Sequence, residues 1–378
     1  MPHECGTPRN NLPIADHLRP RELGVLLAQG GYDCIYGGKW HLPQVTMPKD
    51  NDHGFRVICR YDDRKLPDAC TAAFHEHAAK PAADREPFFM VASFGNPHDI
   101  CQLGRNMALP FGELDEPAPP PEECPNLPPN FAIPAFEPEI LRIEQQANWA
   151  LWPYRTHSPE DWRQLRWGYY RLVERVDRQI GKILDGLQAA GLDDDTVVLF
   201  SSDHGDGHGA HQWNQKCVLY EEVVRVPLIL RAPGARAGQV VRDRLVSNGR
   251  DLYPTICDYA GVAPPDDLQG LSLRPLAEGR EPASWRDALF IETTFDGGRG
   301  YDTTGRAVRT ERHKYIVYDR GKYREQLFDI QADPGEMVNL AVEARHHDLL
   351  AEHRALLHAH TQRTADKFAV PGHWQGRP

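Results

Sequence analysis

The chain has 378 residues, 40% hydrophobic and 26% charged, with Lys+Arg 43 against Asp+Glu 54 for a net charge of −11. This is an ordinary globular composition, which excludes disordered, collagen-like and coiled-coil chains, and the acidic excess argues against a partner bound by neutralising nucleic-acid phosphate. No apolar run reaches the roughly 18 residues of a membrane span, and no basic-then-apolar leader follows Met1, so neither a span nor a signal peptide is expected in the chain as written.

In chain order, Pro20 suits the first turn of a helix whose stripe is Leu23, Leu26 and Leu27, stopped by Gly30-Gly31. Tyr32–Tyr36 follows as a buried strand leading into Gly37-Gly38-Lys39-Trp40-His41. Phe88–Phe94 leads in the same way into Gly95-Asn96-Pro97-His98-Asp99. The stretch Leu109–Pro138, rich in proline, reads as an extended surface loop, with a lid or a substrate wall as the alternative. Leu165, Tyr169, Leu172, Val176, Ile180, Ile183 and Leu187 recur at helical spacing within a long helix from Pro159 to Ala190. That helix feeds the strand Thr196–Phe200, which ends in Ser201-Ser202-Asp203-His204-Gly205, and a further strand is expected at Val226–Leu230. Helices alternating with doubly buried strands predict an α/β fold with a mostly parallel sheet, whose ligands gather beyond the strands' carboxyl ends. After Gly279, short runs at Ala288–Glu292, Ala307–Thr310, Tyr315–Tyr318 and Gln326–Phe328 predict an antiparallel meander, followed by a helix from Ala341 to Thr361. The expected division is residues 1–280 for the larger unit and 281–378 for the smaller. The eight cysteines have no paired CxxC spacing and read as scattered buried thiols.

Three strand ends carry candidate chemistry. Asp203-His204 offers a carboxylate and an imidazole on a rigid base, suited to a metal, although Ser-Asp-His-Gly alone equally describes a capped turn. Asp206, His208, His211, Asn214 and Lys216 follow closely. Lys39 and His41 are two apart, so both can project to one side of Trp40: a compact cation suited to a tetrahedral oxyanion and a group that exchanges protons near neutral pH. Taken singly, Lys39-Trp40-His41 is a solvated turn, His98 a structural histidine and Lys216 a surface lysine. Their placement at equivalent strand ends argues for one site that binds an anionic ester.

Gly38-Lys39-Trp40-His41-Leu42, Pro87-Phe88-Phe89 with Pro97-His98, Ser202-Asp203-His204-Gly205, and Lys216 with Leu219-Tyr220-Glu221-Glu222 and Arg225-Val226-Pro227-Leu228-Ile229 resemble, in order, the motifs of the type I sulfatases of the alkaline-phosphatase-like superfamily. Arg306–Thr310, His313-Lys314-Tyr315, Leu327-Phe328-Asp329 and Asp333-Pro334-Gly335-Glu336 resemble that family's C-terminal subdomain. The resemblance implies an α/β/α sandwich with a small antiparallel subdomain, and hydrolysis of a small-molecule or carbohydrate sulfate monoester. It casts Asp203 and His204 as ligands of Ca²⁺ or another divalent metal, and Lys39 and Lys216 as contacts to sulfate oxygens. His98 would protonate the leaving alcohol, His41 would take a proton from the nucleophile, and His211 and Asn214 would line the substrate pocket.

The family's nucleophile is a formylglycine made within Cys/Ser-x-Pro-x-Arg, and an Asp-Asp pair on its first strand completes the metal site; the chain carries neither. Cys5-Gly6-Thr7-Pro8-Arg9 has its proline one position late, and Pro2-His3-Glu4, Gly6 and Asn10-Asn11 resemble the stretch that follows the motif. The expectation is that Met1 is internal to a longer protein and that the chain alone is catalytically silent and poorly stable. Two other readings stay open: a phosphate or phosphonate ester hydrolase of the same superfamily, and a non-catalytic remnant that binds sulfated ligands.

Overall fold

The computed structural model describes residues 14–41, 53–148, 157–295 and 301–372; Cys5-Gly6-Thr7-Pro8-Arg9, its neighbours and Leu42 lie outside them. A 3₁₀ turn Asp16–Arg21 containing Pro20 precedes α1 (Leu23–Gln29), and Gly30-Gly31 ends it before β1 (Asp33–Gly38). β1 lies between two parallel neighbours, β2 (Arg56–Cys59) and β3 (Phe88–Ser93). Arg56 pins β2 to β1 through a two-pronged ion pair with Asp33, at 2.8 and 2.9 Å.

Side-chain alternation along β3 explains why helices cover both faces. Phe88, Met90 and Ala92 pack with Leu66, Cys70 and Phe74 of α2 (Leu66–Ala79) and Leu187 of the long helix. Phe89 and Val91 pack on the other side with Leu27 of α1, Tyr36 and Ile256. This is the expected α/β/α sandwich, and its parallel strands are buried by helices on either side. Two short helices, α3 (Ile100–Leu103) and α4 (Glu139–Ala147), flank the proline-rich stretch, in which a 3₁₀ turn at Pro121–Glu123 is the only helix or strand. That stretch is tied down: Arg163 donates to the carbonyls of Glu122 and Cys124 at 3.0 and 2.7 Å, and Leu127 and Phe131 pack near Trp162.

α5 (Pro159–Ala189) starts with Pro159 at its first position and a reciprocal cap between Ser158 and Asp161. Its buried residues are Trp162, Leu165, Gly168, Leu172, Gly186 and Leu187; of the expected stripe Leu165, Leu172 and Leu187 are buried, while Tyr169, Val176, Ile180 and Ile183 are only partly covered. It leads to β4 (Val198–Ser201), followed by α6 (Glu221–Val224) and β5 (Leu228–Arg231). Here the strands differ from expectation, because β4 and β5 pair antiparallel, Val198 with Arg231 and Ser201 with Leu228. The residues between them hold only one-turn helices and no crossover helix of the kind that usually joins parallel neighbours. α7 (Asn248–Ala260) and α8 (Arg274–Ala277) complete this part.

The tail is the predicted meander, β6 (Ala288–Thr294), β7 (Thr304–Thr310), β8 (His313–Tyr318) and β9 (Glu325–Asp329), paired antiparallel in sequence order. The last helix, α9 (His347–Thr364), starts later than expected. The Asn339 side chain accepts from the backbone N–H of Leu327 and Ala341 at 3.1 and 3.0 Å, which ties this segment to β9 in place of a first helical turn. Phe295, Ala307, Ile316 and Phe328 of the meander share one core with Ile140, Trp213 and Tyr220.

Candidate functional site

β1, β3 and β4 each deliver a polar cluster at the carboxyl end, and tight backbone contacts set the aim of each. Gly38 has φ +99°, and an added Cβ would lie 1.9 Å from the Ser93 carbonyl oxygen, so only glycine fits. The next residue, Lys39, donates its backbone N–H to that same carbonyl at 2.7 Å. Trp40 turns into the core, edge-on to Tyr36 at 4.8 Å between centroids. That leaves Lys39 and the exposed His41 on the other side, as the two-residue spacing predicts.

His98 is positioned by a residue whose importance the local sequence does not reveal. The buried Asp63 carboxylate accepts the backbone N–H groups of Gly95 and Asn96 at 2.7 and 2.8 Å and the Asn96 side-chain amide at 3.1 Å. These bonds fix the turn from which His98 projects. At the end of β4, Gly205 donates to the Val223 carbonyl at 2.7 Å, and a Cβ there would meet the Glu222 carbonyl oxygen at 2.0 Å.

His204 Nδ1 lies 2.7 Å from the Gly205 carbonyl, so that nitrogen carries the hydrogen and Nε2 keeps its lone pair. Lys216 Nζ donates to Nε2 at 3.0 Å, and an Asp203 carboxylate oxygen is 3.5 Å from the same nitrogen. Burial pushes the Asp203 pKa up, but the charges of His204, Lys39 and Lys216 outweigh it and hold the carboxylate below its ordinary range. Lys39 shifts down through burial and Lys216, against the pull of Asp203. Burial, then Lys39, Lys216 and His204, push His98 down to about 4. His41 is lowered by burial and by both lysines. These mutual influences bring Lys39, His41, His98, Asp203, His204 and Lys216 into one electrostatic neighbourhood.

His211 and Asn214 behave differently from the expected pocket lining. His211 is 1% exposed, stacks on Tyr220 at 3.9 Å, and donates its backbone N–H to the Asn130 carbonyl at 2.7 Å. Its side chain belongs to the core beneath the site, because left-handed backbone at Gly209, His211 and Gln212 re-aims the loop. Asn214 is also buried, and its Oδ1 is without a hydrogen-bond partner. Burial drives the His211 pKa down to about 3, so between there and its unfolded value near 6.5 only the unfolded chain takes the proton. The stability this neutral group contributes is present above pH 6.5 and lost as pH falls. Urea unfolding from pH 6.5 to 4 is expected to be shallower in His211→Phe by about 1.4 kcal/mol per pH unit, the slope of one proton.

The donor set for a metal can be tested directly. Asp203 supplies a carboxylate and His204 one nitrogen, and no group of three or more His, Cys, Asp or Glu side chains able to hold a metal ion occurs among the described residues. Calcium takes six to eight oxygens, so these residues do not make a calcium site by themselves. Lys216 also faces the His204 lone pair that a metal would use.

Two lysines, three histidines and a carboxylate thus share one neighbourhood at the carboxyl edge of an alkaline-phosphatase-like α/β/α sandwich. The sulfatase family model matches residues 4–262, and a model described as N-sulphoglucosamine sulphohydrolase, C-terminal, matches residues 209–363. The chain belongs to the sulfatase family and is a hydrolase of sulfuric esters. It is 30% identical to a Delta 4,5-hexuronate-2-O-sulfatase of Bacteroides thetaiotaomicron, over 97% of this chain and 78% of that protein. It is 26% identical to an ulvan-active sulfatase of Formosa agariphila, over 97% and 72%. The solved structure of a 2-O GAG sulfatase superposes with TM-score 0.78 at 26% identity, covering 97% of this chain and 80% of that one. A phosphonate monoester hydrolase of Agrobacterium radiobacter shares the fold, with TM-score 0.68 at 23% identity over 96% of this chain and 84% of that one.

Proposed function

We propose that the chain acts on the sulfate monoester of a carbohydrate, with residues 1–280 carrying the site and 281–378 bracing it. The observation that carries this reading is the convergence of Lys39, His98 and Lys216 around Asp203 and His204. Hexuronate and ulvan sulfatases among the relatives support a sugar as the alcohol part. Lys39 and Lys216 bind sulfate oxygens and offset the charge that develops on them. His98 delivers a proton to the departing alcohol oxygen, and His41 accepts one from the attacking group. A formylglycine hydrate, when present, supplies that attacking oxygen. A divalent cation, Ca²⁺ by family resemblance, would draw on Asp203 and His204, which alone are too few for it. His211 and Asn214 support the loop that carries Lys216 and do not face substrate.

The acid role has a testable sign. Without substrate His98 is neutral at pH 7, held down by burial and two ammonium groups. An anion placed between those lysines favours the charged imidazole, so its pKa should rise by about 1–2 units. Histidine titration by NMR, with and without 50 mM sulfate, measures this. A His98 pKa that sulfate leaves unchanged would remove the residue from the anion site.

A further inference from the structure

Lys216 stands between two residues with left-handed backbone, Gln215 at φ 66° and Cys217 at φ 84°. Residues other than glycine hold that conformation only where neighbouring contacts enforce it. Three donors do so here, one on each successive carbonyl. The backbone N–H of Gly207 donates to the Gln215 carbonyl at 2.8 Å, the Trp213 indole Nε1 to that of Lys216 at 3.1 Å, and the Thr293 hydroxyl to that of Cys217 at 2.7 Å.

Two of these donors depend on the end of β6. Thr293 lies there opposite Gly305 of β7. A Cβ added to Gly305 would come within 3.0 Å of the Thr293 methyl, so the methyl rests on the bare glycine while the hydroxyl turns to Cys217. Phe295, two residues further on and fully buried, meets the Trp213 ring nearly at right angles with centroids 6.0 Å apart. Trp213 is itself buried, so its N–H cannot leave the Lys216 carbonyl without opening the core. Val218, Leu219 and Tyr220 anchor the chain beyond Cys217 in that same core. With three successive carbonyls held, the backbone of Lys216 is fixed, and from it the ammonium reaches His204 Nε2 at 3.0 Å.

We propose that Thr293 is a positioning residue for Lys216, acting with Trp213: the end of β6 sets the strained backbone from which that lysine reaches the sulfate. The smaller unit thereby takes part in anion binding through a hydroxyl that is spent on the Cys217 carbonyl and not on substrate. This rests on the reading of the sulfate site given above.

Calorimetric titration of the 378-residue chain with inorganic sulfate, alongside thermal melts, tests it. Thr293→Val keeps the shape and removes the hydroxyl. Sulfate affinity should then fall about fivefold, the worth of one net hydrogen bond, as the competent placement of Lys216 loses population. Thr293→Ser keeps the donor and should stay within about twofold of the unaltered chain. Lys216→Ala retains Lys39 and should still bind sulfate, more weakly; in that background Thr293→Val should change affinity no further, because both act through one contact. Equal losses in the two backgrounds, a loss in Thr293→Ser as large as in Thr293→Val, or no loss in Thr293→Val would overturn the positioning role alone. A Thr293→Val chain that no longer melts cooperatively would make the hydroxyl a folding contact and overturn it as well. No sulfate binding by the unaltered chain, or unchanged binding in Lys216→Ala, would overturn the sulfate site together with it.

Discussion

Lys216→Ala and Lys39→Ala are each expected to lower kcat/KM for an aryl sulfate by about 2–4 kcal/mol of transition-state stabilisation, on the order of a hundredfold, in an active preparation. Each lysine offers a charge-assisted contact to an oxygen whose negative charge grows as the ester bond breaks, so the loss falls on turnover. Folding should barely change, because the Lys216 ammonium makes one partly buried contact, with His204, and Lys39 has no ion pair among the described residues. Steady-state kinetics alongside thermal melts separate the two effects. Ordinary turnover in both variants would dissolve the anion site.

The second large effect lies far from the chemistry. Lys314 is completely buried, donates to Glu221 at 3.0 Å and is ion-paired with Glu336 at 2.6 Å, while Glu336 accepts the backbone N–H of Glu221 at 2.6 Å. Burial raises the Glu336 pKa, against the pull of Lys314. The lysine comes from the meander and Glu221 opens α6, directly after the loop of Lys216, so one ion network couples the small sheet to the site. Lys314→Met removes the only ammonium between two carboxylates. Breaking such a pair from one side costs about 3–5 kcal/mol, here toward the lower end, because Glu336 alone is left uncompensated while Glu221 keeps Arg309 at 3.4 Å. At roughly 2–4 °C per kcal/mol, the melting temperature should fall by about 10 °C. A change under about 1 kcal/mol in urea unfolding would mean that the network contributes nothing to the packing of the two parts.

Some of this was readable from residues alone. β1, β3 and β4 announce themselves because doubly covered strands need continuous apolar runs, and Lys39, His98 and Asp203 are legible because each follows such a run immediately. β2 is not legible: four residues including Arg56 carry no period, and their strand character comes from pairing with β1 and from the Asp33 ion pair. Asp63 is hidden for a similar reason, since its three bonds go to residues more than thirty positions away. His211 looks like a site residue by sequence proximity, yet three left-handed residues turn it into the core. The tail motifs stand out as patterns, but the role of Lys314 and Glu336 emerges only when α6 and the meander are packed together.

A crystal soaked in tungstate, a heavy sulfate mimic, tests the central claim most directly. The anion is predicted between Lys39 and Lys216, within about 3 Å of both ammonium nitrogens, with His98 on the side from which an alcohol would leave. Tungstate bound elsewhere, with the two lysines turned apart and their site filled by water alone, would contradict it.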